Sequence, residues 1–401
     1  MHVTPHAART LTFPARWPSG IRAAATRVGI RSLPGDDLVV FVADEGSTAA
    51  AVFTRNRFAA APIEVSRANL VASGGAIRGL LLNAGCANAA TGERGRADAE
   101  RSVSTVAEAI GVATDAVLVN STGVIGVPLP IDAMVTALPG LVTAATDDGV
   151  ETIARAIMTT DSAPKAVERT VPAADGGTIR IVGVAKGSGM IHPDMATMIG
   201  VITTDAALDA ADLDGVLRRA VNGSFNRVSV DGDTSTNDAV FAIASGTAGA
   251  PADDGEFKAA FADACLELAR MIVADGEGAT RVLTVEVVGA ATPEDAREVA
   301  WTIGSSLLVR TAVAGGDPNW GRIIAALGRT TATFDPGAVV VSAGEAVLFR
   351  DGGPTGADAT TAFSAEDVVL RVDLAAGDHS DRHLTCDLTA EYVHINADYT
   401  T

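Results

Sequence analysis

Short β-branched runs bounded by Gly, Asp or Ser alternate along this chain with longer segments whose apolar residues recur at three- and four-residue steps. The first pattern, at Leu38–Ala43, Leu81–Asn83, Val117–Asn120 and Ile179–Ala185, predicts buried or half-buried strands. The second, at Ala97–Ile110, Val150–Met158, Ala210–Val221, Glu256–Ala274 and Pro293–Ile303, predicts helices that bury one face. Asp253 and Asp254 stand where an N-cap belongs before Glu256, and Asp275-Gly-Glu-Gly reads as a helix stop. From Arg281 the pattern changes to a strand (RVLTVEVVGA), a helix (PEDAREVAWTIG), a second strand (LLVRTAVAG) and then β-rich segments ending at HLTCDLTAEYVHINADYTT. Periodicity therefore predicts a mixed α/β (α+β) protein, with a larger domain over residues 1–280 and a smaller α+β lobe over 281–401.

Composition narrows the function. The chain has 401 residues, and 30 basic against 49 acidic side chains leave a net charge of −19 with no Lys/Arg cluster. Such a surface lacks the basic footprint that holds phosphate backbones or anionic lipid heads, so neither nucleic acid nor a membrane is an expected partner. No window approaches ~18 consecutive apolar residues, and the N-terminal segment has no uninterrupted apolar run of the signal-peptide type. Three well-separated cysteines, Cys86, Cys265 and Cys386, form neither a disulfide framework nor a CxxC metal site, which suits a reducing, cytoplasmic location. Aromatic residues are only 4% while glycines number 41, so the core is expected to be Ala, Val, Leu and Ile with close backbone approaches.

Several motifs fail on inspection. Asp231-Gly-Asp-Thr-Ser-Thr-Asn-Asp has alternate oxygen-bearing residues but lacks the central Gly of a calcium loop and has Ala242 where the bidentate Glu belongs. His379 and His383 have i,i+4 spacing, but AAGDHSDRH reads as a solvated turn with no carboxylate-rich partner helix. Lys186-Gly-Ser-Gly inverts the order of a P-loop, and no GxSxG elbow is present. No metal and no cofactor are expected.

The segment Ala185–Ala206 is different. Small residues, Lys186 and a Pro precede Thr197, which opens the apolar stretch MIGVITTDA. A tight loop feeding a buried strand is one reading. The other is a threonine at a strained loop-to-strand junction, whose hydroxyl attacks its own preceding carbonyl in an N→O acyl shift, after which water hydrolyses the ester and frees a new N-terminus. A freed Thr holds nucleophile and base together, because its α-amine, of unperturbed pKa ~7.7–8.0, can accept the hydroxyl proton. Asn120-Ser-Thr-Gly-Val, following a strand, offers hydroxyls and a glycine N–H to a developing oxyanion, and Lys186 offers a cation that would lower the amine's pKa.

At this point the chain resembles the ornithine acetyltransferases, also called glutamate N-acetyltransferases, of the cyclic arginine pathway. The blocks that carry the likeness are Asn83-Ala-Gly-Cys-Ala-Asn-Ala-Ala-Thr-Gly, Asn120-Ser-Thr-Gly-Val-Ile-Gly, Thr159-Thr-Asp, Lys186-Gly-Ser-Gly-Met-Ile-His-Pro-Asp-Met-Ala-Thr-Met, Val230-Asp-Gly-Asp-Thr-Ser-Thr-Asn-Asp, Gly316-Asp-Pro-Asn-Trp-Gly-Arg and Asn396-Ala-Asp-Tyr-Thr-Thr. The resemblance implies a four-layer αββα sandwich like that of N-terminal-nucleophile enzymes, with the C-terminal lobe completing the substrate pocket. It implies self-cleavage between Ala196 and Thr197 into an α chain (1–196) and a β chain (197–401), associated as an (αβ)2 heterotetramer.

The implied reaction moves the acetyl group of N2-acetyl-L-ornithine to Thr197 and then to L-glutamate by a ping-pong route. Acetyl-CoA enters as a substrate only if the enzyme also makes N-acetylglutamate from it. By the same resemblance Thr122 and Gly123 form the oxyanion hole, while Thr160, Lys186, Thr197, Glu277, Asn396 and Thr401 contact substrate. The Asp231–Asp238 and Gly316–Arg322 segments are treated as scaffold turns. Two departures from the family pattern are Ile-His-Pro-Asp before the nucleophile, where an Ala-Pro-Asn type is expected, and Cys86 in place of Asn. An N-terminal-threonine amidase or aminopeptidase is the competing activity, with water as the acyl acceptor. The implied pocket makes deletion of residues 396–401 damaging, and unchanged acetyl transfer by the truncated chain would show that pocket to be wrong.

Overall fold

Leu38–Ala43 is apolar at all six positions and buried at all six, which a strand achieves only when both of its faces are covered. The computed structural model, which describes residues 12–32, 34–192 and 198–398, supplies both covers. The chain divides into two compact units: among the described residues the larger holds 12–226 and 233–272, the smaller 227–232 and 273–398. The division thus falls at Ile272/Val273, ahead of the 280/281 boundary expected from the change of pattern at Arg281, and the short segment 227–232 belongs to the smaller unit.

The larger unit is a four-layer αββα sandwich. One sheet runs in the order Ile21–Thr26, Leu38–Ala43, Gly79–Cys86, Val117–Val124; the other in the order Thr48–Phe53, Ala239–Ala244, Ile199–Thr204, Thr178–Lys186, Lys165–Pro172. Val39, Phe41, Leu80, Leu82 and Leu118 from the first sheet pack against Ala49, Ala51, Val182, Val184, Val201 and Phe241 from the second. The opposite face of the first sheet, with Leu38, Val40, Leu81, Val117 and Val119, is covered by Val103, Val106, Met134 and Leu138 of helices Gly92–Ile110 and Ile131–Thr143. Helices Ala210–Gly223 and Asp254–Ala274 form the fourth layer; Leu268 of the latter lies so close to Gly183 that a Cβ there would stand 2.9 Å from its side chain. Asp253 caps the long helix by accepting the N–H groups of Gly255 and Glu256.

Two strands run past their expected ends. Gly79–Cys86 and Val117–Val124 continue through Asn83, Asn120, Ser121 and Thr122, all buried, so polarity there marks internal hydrogen bonding and not a turn.

The smaller unit has a seven-stranded sheet ordered Gly353–Pro354, Ala346–Arg350, Val340–Ala343, Asp367–Asp373, Val282–Ala290, His379–Cys386, Val228–Ser229. Leu283, Val285, Val287, Val368, Leu370 and Val372 share a core with helices Pro293–Gly304, Leu307–Ala314 and Trp320–Leu327. The segment LLVRTAVAG, expected as a strand, is the second of these helices: the Ser306 side chain caps Val309 N–H, and Val309, Ala312 and Val313 are buried at helical spacing. The terminal AEYVHINAD, expected within a β-rich tail, is the helix Ala390–Asp398. His379 and His383, expected in a turn, lie on a strand, the second of them buried.

Among the described residues no helix is long and apolar enough to cross a membrane. Phe241 sits fully buried between the sheets, edge-on to Phe53 with ring centroids 5.8 Å apart. Phe241→Ala is expected to cost about 3–5 kcal/mol of stability, read as a lowered urea midpoint; an unchanged midpoint would exclude the inter-sheet core described here.

Candidate active site

Thr122 and Gly123 lie near the end of Val117–Val124, which pairs in parallel with Gly79–Cys86, Ala84 opposite Thr122 and Gly85 opposite Gly123. The register shifts at Gly85/Cys86, a bulge of the kind that re-aims backbone groups. Both glycines have positive φ, +113° and +132°, and a Cβ on Gly123 would stand 2.2 Å from the Gly85 carbonyl carbon. Only glycine fits there.

A buried amide network fixes this turn. Asn83 donates to Cys86 O (2.9 Å) and accepts from Ser121 Oγ (2.6 Å), and Asn120 donates to Asn237 O (2.8 Å). Asn237 in turn donates to Ala87 O (2.6 Å) and Ser121 O (2.8 Å). Cys86 donates to Val127 O, and burial pushes its thiol pKa up, so it is a packing residue and not a nucleophile.

Lys186, last residue of Thr178–Lys186, is buried, not a surface side chain. Its Nζ stands 3.5 Å from Thr122 Oγ1 and 4.0 Å from Asp161 Oδ2. Asp161 is the centre of the cluster: Oδ1 accepts from Lys165 Nζ (2.7 Å) and Gly187 N–H (2.6 Å), and Oδ2 from Thr159 N–H (3.0 Å). Burial alone would raise the Asp161 pKa, but the two ammonium groups and the Gly187 N–H outweigh it and hold the carboxyl well below the usual range. Beside it Thr160 Oγ1 and Ser188 Oγ share a 2.7 Å hydrogen bond. Two buried ammonium groups stand around one carboxylate, and the Lys186 ammonium beside Thr122 is suited to a carboxylate-bearing ligand or a developing oxyanion.

Ala196 and Thr197 lie outside the described residues, but the chain resumes beside this cluster. Ile199 pairs with Lys186, and Met198 N–H donates to Asp238 Oδ1 at 2.9 Å. In the smaller unit Asn396 Nδ2 donates to Glu277 Oε2 at 2.9 Å, bringing those two expected contacts together; Thr401 lies outside the described residues. His192, weighed as a tuner of the Thr197 amine, is half-buried. Among the described residues no group of three His, Cys, Asp or Glu side chains is arranged to hold a metal ion.

Sequence reasoning missed Lys165, Ser188, Asn83 and Asn237, and gave Asp161 no role. The signal was faint: an Asp four residues before a Lys that opens a strand, and amides within or just before strands. The structure brings Thr122, Gly123, Thr160 and Lys186 into one neighbourhood through these unassigned residues.

The ArgJ family model matches residues 22–401. The chain is 45% identical over 389 residues, 95% of its length and 98% of the relative's, to the arginine biosynthesis bifunctional protein ArgJ of Nitratidesulfovibrio vulgaris. It is 46% identical over 391 residues, 96% of its length and 99% of the relative's, to the protein of that name from Thermus thermophilus. Among solved structures, ornithine acetyltransferase from Mycobacterium tuberculosis, complexed with ornithine, matches at 35% identity and a TM-score of 0.41, covering 45% of this chain and 96% of that one.

The low pKa of Asp161 sets a sign. A carboxyl held below its unfolded value, about 3.9, adds stability that is fully present above that value and lost as pH falls through the folded one. Asp161→Asn removes the carboxylate that the Lys165 and Lys186 ammonium groups both face and is expected to cost about 3–5 kcal/mol at pH 7. The gap between the two proteins should narrow only below about pH 4. Urea unfolding across pH checks this; equal stability at pH 7, or a gap constant into acid, would exclude it.

Proposed function

The chain belongs to the ArgJ family, and on that premise we propose how this acetyltransferase of arginine biosynthesis uses its residues. The activity is glutamate N-acetyltransferase: the acetyl group of N2-acetyl-L-ornithine passes to L-glutamate. The observation that carries the residue assignment is the approach of Lys186 Nζ to Thr122 Oγ1 on a strand paired with the segment that follows Thr197.

In the proposed mechanism the chain cuts itself between Ala196 and Thr197. The freed Thr197 amine takes the Thr197 hydroxyl proton as Oγ1 attacks the acetyl carbonyl; the C–N bond breaks, ornithine's nitrogen takes the proton, and an acetyl ester remains on Thr197. Thr122 Oγ1 and Gly123 N–H face the oxyanion of each tetrahedral intermediate. The neutral α-amine of glutamate then attacks the ester, and its proton returns through the Thr197 amine to the hydroxyl. Lys186 disfavours protonation of that amine and, with Thr160, meets the α-carboxylate side of both substrates. Glu277 offers a carboxylate to ornithine's side-chain ammonium, and Asn396 and Thr401 offer polar contacts. Donor and acceptor share the N-acetyl amino-acid core, so one site serves both halves of the cycle.

The α and β chains are proposed to stay together as (αβ)2. Relatives named as bifunctional proteins support a second activity, for which acetyl-CoA would be the acetyl donor, although no CoA motif is legible in this sequence. Hydrolysis by a threonine amidase, the competing reading, is not favoured by the family.

Intact mass of the purified protein, beside Thr197→Ala and after brief incubation with N2-acetyl-L-ornithine, tests the scheme. Two fragments meeting at 196/197, an acetyl mass on the one starting at Thr197, and neither event in the variant are expected. An uncut parent chain without adduct would sink it. Thr122→Ala is expected to lower kcat by about 10²–10³, the loss seen when one oxyanion donor is removed.

A further inference from the structure

Asp238 was read from the sequence as part of a scaffold turn, yet it is the buried side chain that meets the chain just after the proposed nucleophile. It immediately precedes Ala239–Ala244, the strand parallel to Ile199–Thr204, with Ala239 opposite Ile199. Its own carbonyl accepts Thr54 N–H (2.8 Å), which ties its backbone into the sheet. Met198 is held twice from this side: its N–H donates to Asp238 Oδ1 at 2.9 Å, and its carbonyl accepts Ala239 N–H at 3.1 Å. Asp238 is fully buried.

We propose that Asp238 is the positioning residue of the threonine, fixing the Thr197 side of the Ala196–Thr197 bond through the hydrogen bond from Met198 N–H. The residue acts through Met198. Holding both the N–H and the carbonyl of Met198 restrains the backbone on the carboxyl side of the scissile junction, which self-cleavage and acetyl transfer both need oriented. Burial pushes the Asp238 pKa up, against the smaller opposing effects of Met198 N–H, Lys186, the Ser235 backbone and the Thr54 side chain, and the bond from Met198 N–H needs only an acceptor oxygen. A neutral amide with the same acceptor oxygen should therefore do the same work. This inference rests on Thr197 being the self-cleaving nucleophile.

The test compares the full chain, Asp238→Asn, Asp238→Ala and Thr197→Ala, following the cut fraction over time by intact mass and measuring kcat and KM on the cut material. Asp238→Ala is expected to slow cleavage by about tenfold or more, the rate equivalent of one buried hydrogen bond, and to lower kcat at unchanged KM. Asp238→Asn should stay within about threefold of the parent on both counts. A parent that cuts while Asp238→Ala cuts equally fast overturns this proposal alone, and so does an Asp238→Asn chain that melts with the parent but fails to cut. A parent that stays whole sinks the Thr197 reading as well. Should Asp238→Ala not fold, Asp238→Asn decides the matter by the same criterion.

Discussion

The site depends on one buried carboxylate. Without Asp161, Lys165 and Lys186 would lose the carboxylate that both ammonium groups face, and buried charge short of counter-charge is what a protein interior rejects by neutralising or expelling it. With it, the same oxygens that balance the charges also accept the N–H groups of Thr159 and Gly187. Electrostatics and backbone geometry are thereby tied: the 159–161 loop is pinned against the end of Thr178–Lys186, and Thr160 meets Ser188 as a result. Positive charge can then be kept dry beside Thr122, where a low dielectric makes it count for more than it would in water.

A second layer of polar atoms, uncharged, does the same for the backbone. Asn83, Asn120, Ser121 and Asn237 are each buried and each hydrogen-bonded, and they hold two strands through a bulge that would otherwise be the softest part of the sheet. A half-satisfied network of this kind would be worse than an apolar core; a satisfied one specifies a single arrangement.

How much of this was legible in the sequence follows from which physical signal each part carries. Leu38–Ala43 and Glu256–Ala274 were plain because their apolar spacing matches their period and their ends carry breakers or caps. Leu307–Ala314 was misread because a short β-branched run looks alike in strand and helix; Ser306 at its head was the deciding cap. Strand extensions beyond Asn83 and Asn120 were missed because a polar or glycine residue in sequence looks like a turn whether it meets water or another amide. The site's residues were named through resemblance, and their spatial support, Asp161 above all, was not, because an ion pair that joins a loop to a strand end leaves no periodic trace.

The five-stranded sheet alternates in origin. Thr48–Phe53, Thr178–Lys186 and Lys165–Pro172 come from before residue 197, whereas Ile199–Thr204 and Ala239–Ala244 come from after it and sit between them. A break at 196/197 therefore creates two hydrogen-bonded seams, one antiparallel ladder at Thr48–Phe53 and another at Thr178–Lys186, and no free edge. Separating the pieces would mean unzipping the middle of a sheet from both sides at once. The two polypeptides would behave as one cooperative unit, melting together, and neither would have a folded life apart from the other.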